Sequence, residues 1–197
     1  MKVLAVLGSA RRKGNTETLM NEAIKAIGDR AKVTLRVVEE MTVHGCQGCK
    51  GCRIPGADGC IFMDDMQTLY TEMKEADALI LGSPVYYGEV TGQMKCFMDR
   101  WYALRDGERR LRMASGKKVL FILTQGAPTN DRYHAALDRL TKVLTSYDMV
   151  PDIVVAAGVE KKGDARKRPE LLEAARKGGE WLVSASDTAA AAAAPAA

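Results

Sequence analysis

MKVLAVLGSARRKGNT, residues 1–16, sets a strand, a turn and the start of a helix end to end. Beyond Lys2, Met1–Leu7 is a short unbroken apolar run, the pattern of a strand covered on both faces. Apolar positions then recur at helical spacing over Thr16–Ile27. Between them lies Gly8-Ser9-Ala10-Arg11-Arg12-Lys13-Gly14-Asn15-Thr16. A Gly- and hydroxyl-rich turn entering a helix presents unpaired N–H groups and the positive end of the helix dipole, which suits a phosphate. Ser9, Asn15 and Thr16 are candidate donors and Arg11 a candidate counter-charge. The spacing is neither a Walker loop nor GxGxxG, so it demands neither ATP nor a dinucleotide. A plain turn in which Asn15 or Thr16 merely caps the helix fits the same residues.

The alternation continues along the chain. Strands are expected at Lys32–Glu39, Ala78–Leu81, Lys118–Leu123 and Asp152–Ala156. Helices are expected at Asp64–Lys74, Thr91–Leu104, Asp131–Ser146 and Pro169–Ser184. Five strand–helix repeats imply an α/β fold, a doubly wound parallel five-stranded sheet, because parallel neighbours need right-handed crossovers. The expected strand order is 2-1-3-4-5. One domain over residues 1–186 is expected, followed by a low-complexity Ala-rich tail, DTAAAAAAPAA, at 187–197. Two more rim loops stand out. Gly82-Ser83-Pro84-Val85-Tyr86-Tyr87-Gly88 places two aromatics beside Pro and Gly, able to stack on a planar ring or simply to pack on neighbouring helices. Thr124-Gln125-Gly126-Ala127-Pro128 is polar and Gly-containing. Three such loops at one sheet edge point to a mononucleotide pocket.

The connection after the second strand breaks the rule of short loops. Residues 41–63 form a long irregular segment, a length that is usually functional. It holds CQGCKGCRIPGADGC, with Cys46, Cys49, Cys52 and Cys60 as candidate metal ligands. Thiols this close can point at one inorganic centre. Overlapping x₂ spacings favour an iron–sulfur cluster over zinc, which more often uses two separated CxxC knuckles. The chain has five cysteines, an odd number, which argues against a disulfide framework. Cys96 is expected to be a buried apolar residue in its helix and not a fifth ligand. His44 is expected to be exposed or hydrogen-bonded, His134 structural, and Asp64 and Asp65 to cap the following helix.

At 197 residues, 47% hydrophobic and 27% charged, the composition is that of an ordinary globular chain. No apolar run approaches the ~18 residues needed to span a bilayer, and no cleavage pattern follows Val3–Leu7, so a cytoplasmic location is expected. The net charge is +4. Its two locally basic stretches, Arg105–Arg112 and Lys161–Arg168, read as solvated loops. Neither is interleaved with aromatics, so no nucleic-acid platform is expected. The absence of a Cys-x₅-Arg loop counts against a phosphatase, and no Ser/His/Asp arrangement is visible.

Taken together, GSxRxxGNT after the first strand, the Cys loop running into Asp64-Asp65-Met66, GSPVYYG, and Lys95-x-Phe97-x-Asp99-Arg100 resemble the NADPH-dependent FMN reductase family, which is flavodoxin-like. The cysteines are similar to those of its iron–sulfur flavoproteins from anaerobic archaea and bacteria. The resemblance covers about residues 1–160. It implies that Ser9, Arg11, Asn15 and Thr16 hold the FMN phosphate. Pro84, Val85, Tyr86, Tyr87 and Gly88 would line the isoalloxazine, with Thr124, Gln125 and Gly126 on its other side. The four cysteines would carry a [4Fe–4S] cluster. It further implies an oxidoreductase that takes electrons from a ferredoxin-like donor or NAD(P)H and passes them to a small-molecule or protein acceptor. The implied assembly is a homodimer or homotetramer. Two alternatives stay open: a cluster-free NAD(P)H-dependent flavin or quinone reductase, and a zinc-stabilised binding module.

Overall fold

The computed structural model describes residues 1–129 and 133–185. In chain order its main elements are β1 (Lys2–Leu7), α1 (Asn15–Ile27), β2 (Lys32–Val37), α2 (Met66–Glu75), β3 (Ala78–Tyr86) and β4 (Glu89–Val90). There follow α3 (Gly92–Asp99), β5 (Lys118–Thr124), α4 (His134–Ser146), β6 (Val150–Ala156) and α5 (Pro169–Val183). The five long strands are parallel in the order β2-β1-β3-β5-β6, and the two-residue β4 pairs antiparallel with β3 alone. The expected flavodoxin-like sheet is therefore present, with one short strand added.

Side chains alternate across the sheet. Val3, Ala5 and Leu7 of β1 pack with Ile80, Leu120 and Ile122 beneath α1 and α5. Leu4 and Val6 face the other way, joining Leu79, Leu81 and Phe121 beneath α2, α3 and α4. Both faces are covered by helices, so the strands read as apolar runs and not as alternating ones. The strand ends are aligned by register: Leu7 opposes Gly82, Pro84 opposes Thr124, and Thr124 opposes Ala156. All the loops that matter leave from this carboxyl edge.

Several boundaries differ from expectation for identifiable reasons. Ala78–Leu81 continues as strand to Tyr86 despite Pro84. Beyond Gly82 the β1 neighbour has ended and β3 pairs in parallel only with β5, so a missing N–H is tolerated on the open side. Tyr87 and Gly88 both have positive φ, 51° and 84°, giving a two-residue turn between β3 and β4 with the twist that hairpins prefer. β6 begins at Val150 and includes Pro151, acceptable because it is an edge strand. β2 stops at Val37, and Arg100–Leu104 continues α3 as a 3₁₀ turn. The Ala-rich tail at 187–197 and positions 131 and 132 of the fourth expected helix lie outside the described residues. No described helix is long and apolar enough to cross a membrane.

Candidate functional site

At the carboxyl edge of β1, the loop over residues 8–14 is held from below. The Gly8 carbonyl accepts a hydrogen bond from the Thr91 hydroxyl, and the Thr91 N–H donates to Ser83 Oγ at 3.0 Å. Gly8 allows α3 this close: a Cβ there would stand 2.6 Å from Met94 Cβ. Ser9 Oγ accepts from the Arg11 N–H at 3.2 Å, tightening the turn. Gly14 is the N-cap of α1 and contributes no side-chain bond, so the first N–H groups of the helix, at Asn15 and Thr16, have no intrahelical acceptor. The basic residues divide their roles. Arg12 is tied to Glu17 at 2.9 Å and to Glu40, and Glu17 also takes the Lys13 N–H. The Arg12 guanidinium holds the Glu17 carboxyl below its ordinary range, against the effect of burial. Among the described residues Arg11 has no carboxylate partner, and it lines the cleft.

That cleft, about 210 Å³, is bounded by Ser9, Arg11, Asn15, Thr16, Pro84, Val85, Tyr86, Thr124, Gln125 and Gly126. Ten of the twelve expected cofactor residues thus meet at one place. Tyr87 and Gly88 do not: they form the hairpin tip, and Tyr87 projects fully into solvent. Asn15 is at the cleft in an unexpected role. Its Nδ2 donates to the carbonyls of Val159 and Lys161, at 3.1 and 2.9 Å. Its Oδ1 accepts from the N–H groups of Gly163 and Ala165, at 3.1 and 3.2 Å. The amide is fully occupied in clamping the loop after β6, and only its backbone N–H remains for a phosphate. Thr16 Oγ1 and Thr124 Oγ1 are 2.7 Å apart and buried. Two hydroxyls sharing one bond leave one proton to donate elsewhere.

The clamped loop is what the sequence reading missed. Val159 and Glu160 line the cleft, and Val159 N–H donates to the Gln125 carbonyl at 2.9 Å, joining it to the loop after β5. Gly158 and Gly163 flank it, both with positive φ. A Gly-containing loop at the carboxyl end of the last strand was a usable signal by the rule that picked out the other three.

The second candidate site is the cysteine loop. Its mouth is closed: Thr42 N–H donates to Asp65 Oδ2 at 2.7 Å, Asp65 N–H to the Thr42 carbonyl at 3.1 Å, and His44 N–H to Asp64 Oδ2 at 3.0 Å. Asp64, one residue before the N-cap, also accepts from the Met66 N–H at the start of α2. Asp65, the N-cap itself, makes no side-chain cap bond, contrary to expectation, because its carboxylate is taken by Thr42. The principal partner of Asp64, however, is Arg100, at 2.7 and 3.0 Å, both side chains being 2% exposed. Burial would push the Asp64 carboxyl up, but Arg100 and the two N–H donors more than offset it and hold it below its ordinary range. The His44 imidazole is exposed against Phe62, as expected.

Cys46, Cys49, Cys52 and Cys60 all line one cavity of about 160 Å³, walled by Ile61, Phe62, Tyr102 and Ala103. Cys52 is buried, which pushes its thiol up, partly countered by Arg53. Cys60 Sγ accepts from the Phe62 N–H at 3.5 Å. Among the described residues no three His, Cys, Asp or Glu side chains converge closely enough to grip one metal ion. The thiols share a cavity, not a point. Four soft donors around an apolar pocket, with an amide aimed at sulfur, fit the needs of a multi-iron cluster. Cys96 is half-buried, not buried as expected; a Cβ on Gly45 of the loop would stand 3.8 Å from its Sγ.

The basic stretch Arg105–Arg112 is not simply a solvated loop. Arg112 donates to the carbonyls of Cys52 and Ala57 at 3.1 and 2.5 Å, and to those of Ala103 and Arg105 at 2.8 and 2.7 Å. Arg53 stacks 4.0 Å over Tyr102 and donates to the Asp106 carbonyl. This segment is a floor under the cysteines. Charge count along the chain cannot distinguish a guanidinium bonded to carbonyls from one in water.

Residues 1–160 match the family described as NADPH-dependent FMN reductase. The chain belongs to this family. Within it, the chain is similar to two iron–sulfur flavoproteins of Methanocaldococcus jannaschii. One is 42% identical over 108 residues, 54% of this chain and 55% of that one. The other is 32% identical over 157 residues, 77% and 74% of the two chains. The chain spans about half the length of the first curated relatives it matches. Among solved structures, an NAD(P)H:quinone oxidoreductase from Methanothermobacter marburgensis shares the fold, with a TM-score of 0.72 at 17% identity over 94% of this chain and 98% of that one.

Proposed function

We propose that this chain is an FMN- and [4Fe–4S]-containing oxidoreductase that carries electrons from a ferredoxin-like donor to an acceptor. The observation supporting it is the pairing, on one sheet edge, of a phosphate-ready cleft with a cavity ringed by four thiols. When bound, the flavin exchanges one or two electrons and the cluster one at a time, and the protein supplies binding and tuning. Ser9, Thr16, Arg11 and the first N–H groups of α1 receive the FMN phosphate. Pro84, Val85 and Tyr86 flank one side of the ring system, and Thr124, Gln125 and Gly126 the other. Cys46, Cys49, Cys52 and Cys60 ligate iron, with the Phe62 N–H spreading charge from Cys60 sulfur. An apolar cleft of about 230 Å³ shares Val85 and Gln125 with the first and is walled by Val90, Leu137 and Leu140. A planar acceptor seated there would lie against the flavin side of the site.

Protein purified without air should contain one FMN and about four each of iron and sulfide per chain. Cys49→Ala should lose the iron and keep the flavin, because the two sites are built from separate loops. Flavin without iron in the wild-type protein would instead select the cluster-free reductase. One zinc and no flavin would select a binding module.

A further inference from the structure

Arg100 lies where the two ends of the cysteine loop meet. Its Nη1 donates to the His44 carbonyl at 3.0 Å and to Asp64 at 2.7 Å. Its Nη2 donates to the Phe62 carbonyl at 3.3 Å and to Asp64 at 3.0 Å. Its own carbonyl is pinned by the Tyr70 hydroxyl at 2.7 Å. These bonds join a residue two before Cys46 to one two after Cys60, which alone would make Arg100 a staple. Two facts exceed that role. Arg100 lines the thiol cavity together with all four cysteines, and no other arginine does among the described residues. Its Nε is buried and has no hydrogen-bond partner. A guanidinium has five donors, and leaving one buried and unpaired costs its full desolvation penalty. The staple uses only the terminal nitrogens, so Nε, unpartnered like the Nε of Arg53, is left available to an acceptor in the cavity that Arg100, unlike Arg53, lines.

We infer that Arg100 is the cationic hydrogen-bond donor to the group held by Cys46, Cys49, Cys52 and Cys60, offering its Nε–H, and that it raises that group's reduction potential. This inference rests on the [4Fe–4S] reading of the cavity. A positive charge beside the cluster favours the more negative, reduced state, and hydrogen bonds to sulfur act in the same direction. Asp64 sits on the far fork of the guanidinium and tempers its field. The ion pair therefore presents its positive end to the sulfurs and its negative end to the start of α2. Lysine would keep the charge but lose both the fork and the third donor.

The test uses the intact, iron-loaded protein prepared without air, with arginine labelled with ¹⁵N at Nε. Iron and sulfide are measured first. In the reduced protein, pulsed EPR should show a ¹⁵N coupling to the cluster spin that disappears in Arg100→Lys. Asp64→Asn unmasks the guanidinium, so the ratio of reduced to oxidised cluster at fixed solution potential should rise about tenfold, a midpoint shift of about 59 mV for one electron. A pure staple would lower cluster occupancy in both variants and leave the midpoint of the loaded fraction unchanged. Full iron with no ¹⁵N coupling, or an unmoved midpoint in loaded Asp64→Asn, overturns the inference alone. Absence of iron and sulfide overturns the functional reading and this inference with it. Should either variant fail to fold, the wild-type coupling still decides.

Discussion

Removing the Asn15 side chain separates two roles that the sequence runs together. Read as a phosphate donor, Asn15 would matter only when flavin is present. The structure gives it four hydrogen bonds to the loop after β6 and leaves no side-chain donor for a ligand. Asn15→Ala should therefore destabilise the flavin-free protein. At about 1 kcal/mol per bond the ceiling is near ~4 kcal/mol. Two of the four bonds are only part-buried and water can replace them, so the expected loss is about 2–3 kcal/mol. For a chain of this size that is a substantial share of a total near ~5–15 kcal/mol. With a urea dependence of about 2–3 kcal/mol per molar, the unfolding midpoint should fall by about 1 M. Asn15→Asp should be at least as damaging, because a carboxylate oxygen would then face the Val159 and Lys161 carbonyls. Flavin affinity should fall as well, since the freed loop carries Val159 and Glu160 away from the cleft wall. Equilibrium unfolding of flavin-free protein reads the clamp by itself. A flavin-free Asn15→Ala protein within ~0.5 kcal/mol of wild type, with only flavin binding impaired, would refute the clamp and return the amide to the ligand.

Three further outcomes are expected. Thr16→Val should weaken FMN about tenfold, ~1.4 kcal/mol, by removing a hydroxyl from the buried Thr16–Thr124 pair; Thr16→Val and Thr124→Val combined should cost less than the two separately, and strict additivity in flavin titrations would count against a shared proton. Arg112→Ala should speed iron loss several-fold while leaving FMN affinity unchanged, because its bonds are to the Cys52 and Ala57 carbonyls and none is to the flavin cleft; equal iron retention would show that the floor is dispensable. The Asp64 carboxyl is held below its unfolded value of about 3.9, so its contribution is complete above that pH and disappears as pH falls through the lower folded value. The stability gap between wild type and Asp64→Asn, expected at about 3–5 kcal/mol for a broken buried pair, should stay flat from pH 7 to about 4.5 and close below it; a gap already shrinking near pH 6 would contradict the assignment.

The β-α alternation, the parallel sheet and the edge carrying the loops were legible from one strand–turn–helix unit and its repeats, because burial on both faces leaves an apolar signature that needs no tertiary knowledge. The extension of β3 through Pro84 was not. Proline is forbidden or permitted by whether a neighbouring strand is present, and the last pair β1 makes is Leu7 with Gly82, two residues before Pro84. The same division holds at the sites. Residue type and spacing singled out Ser9, Arg11, Thr16 and the four cysteines, since local chemistry suffices to mark a phosphate turn or a thiol cluster. The exposure of Tyr87 was not legible either: β3 ends at Tyr86, and the positive-φ turn that follows carries Tyr87 into solvent, away from the cleft that Tyr86 lines.

What the sequence by itself determined is the inventory: a Gly- and hydroxyl-rich turn, a cluster of four thiols, and the rim from which both leave. Only the folded chain decided the allocation of partners. Asn15 was claimed by a loop almost 150 positions away, Arg112 by the cysteine loop, and Arg100 by Asp64 with one donor to spare. Hydrogen-bonding capacity is finite, and which acceptor consumes it depends on distances that exist only after folding.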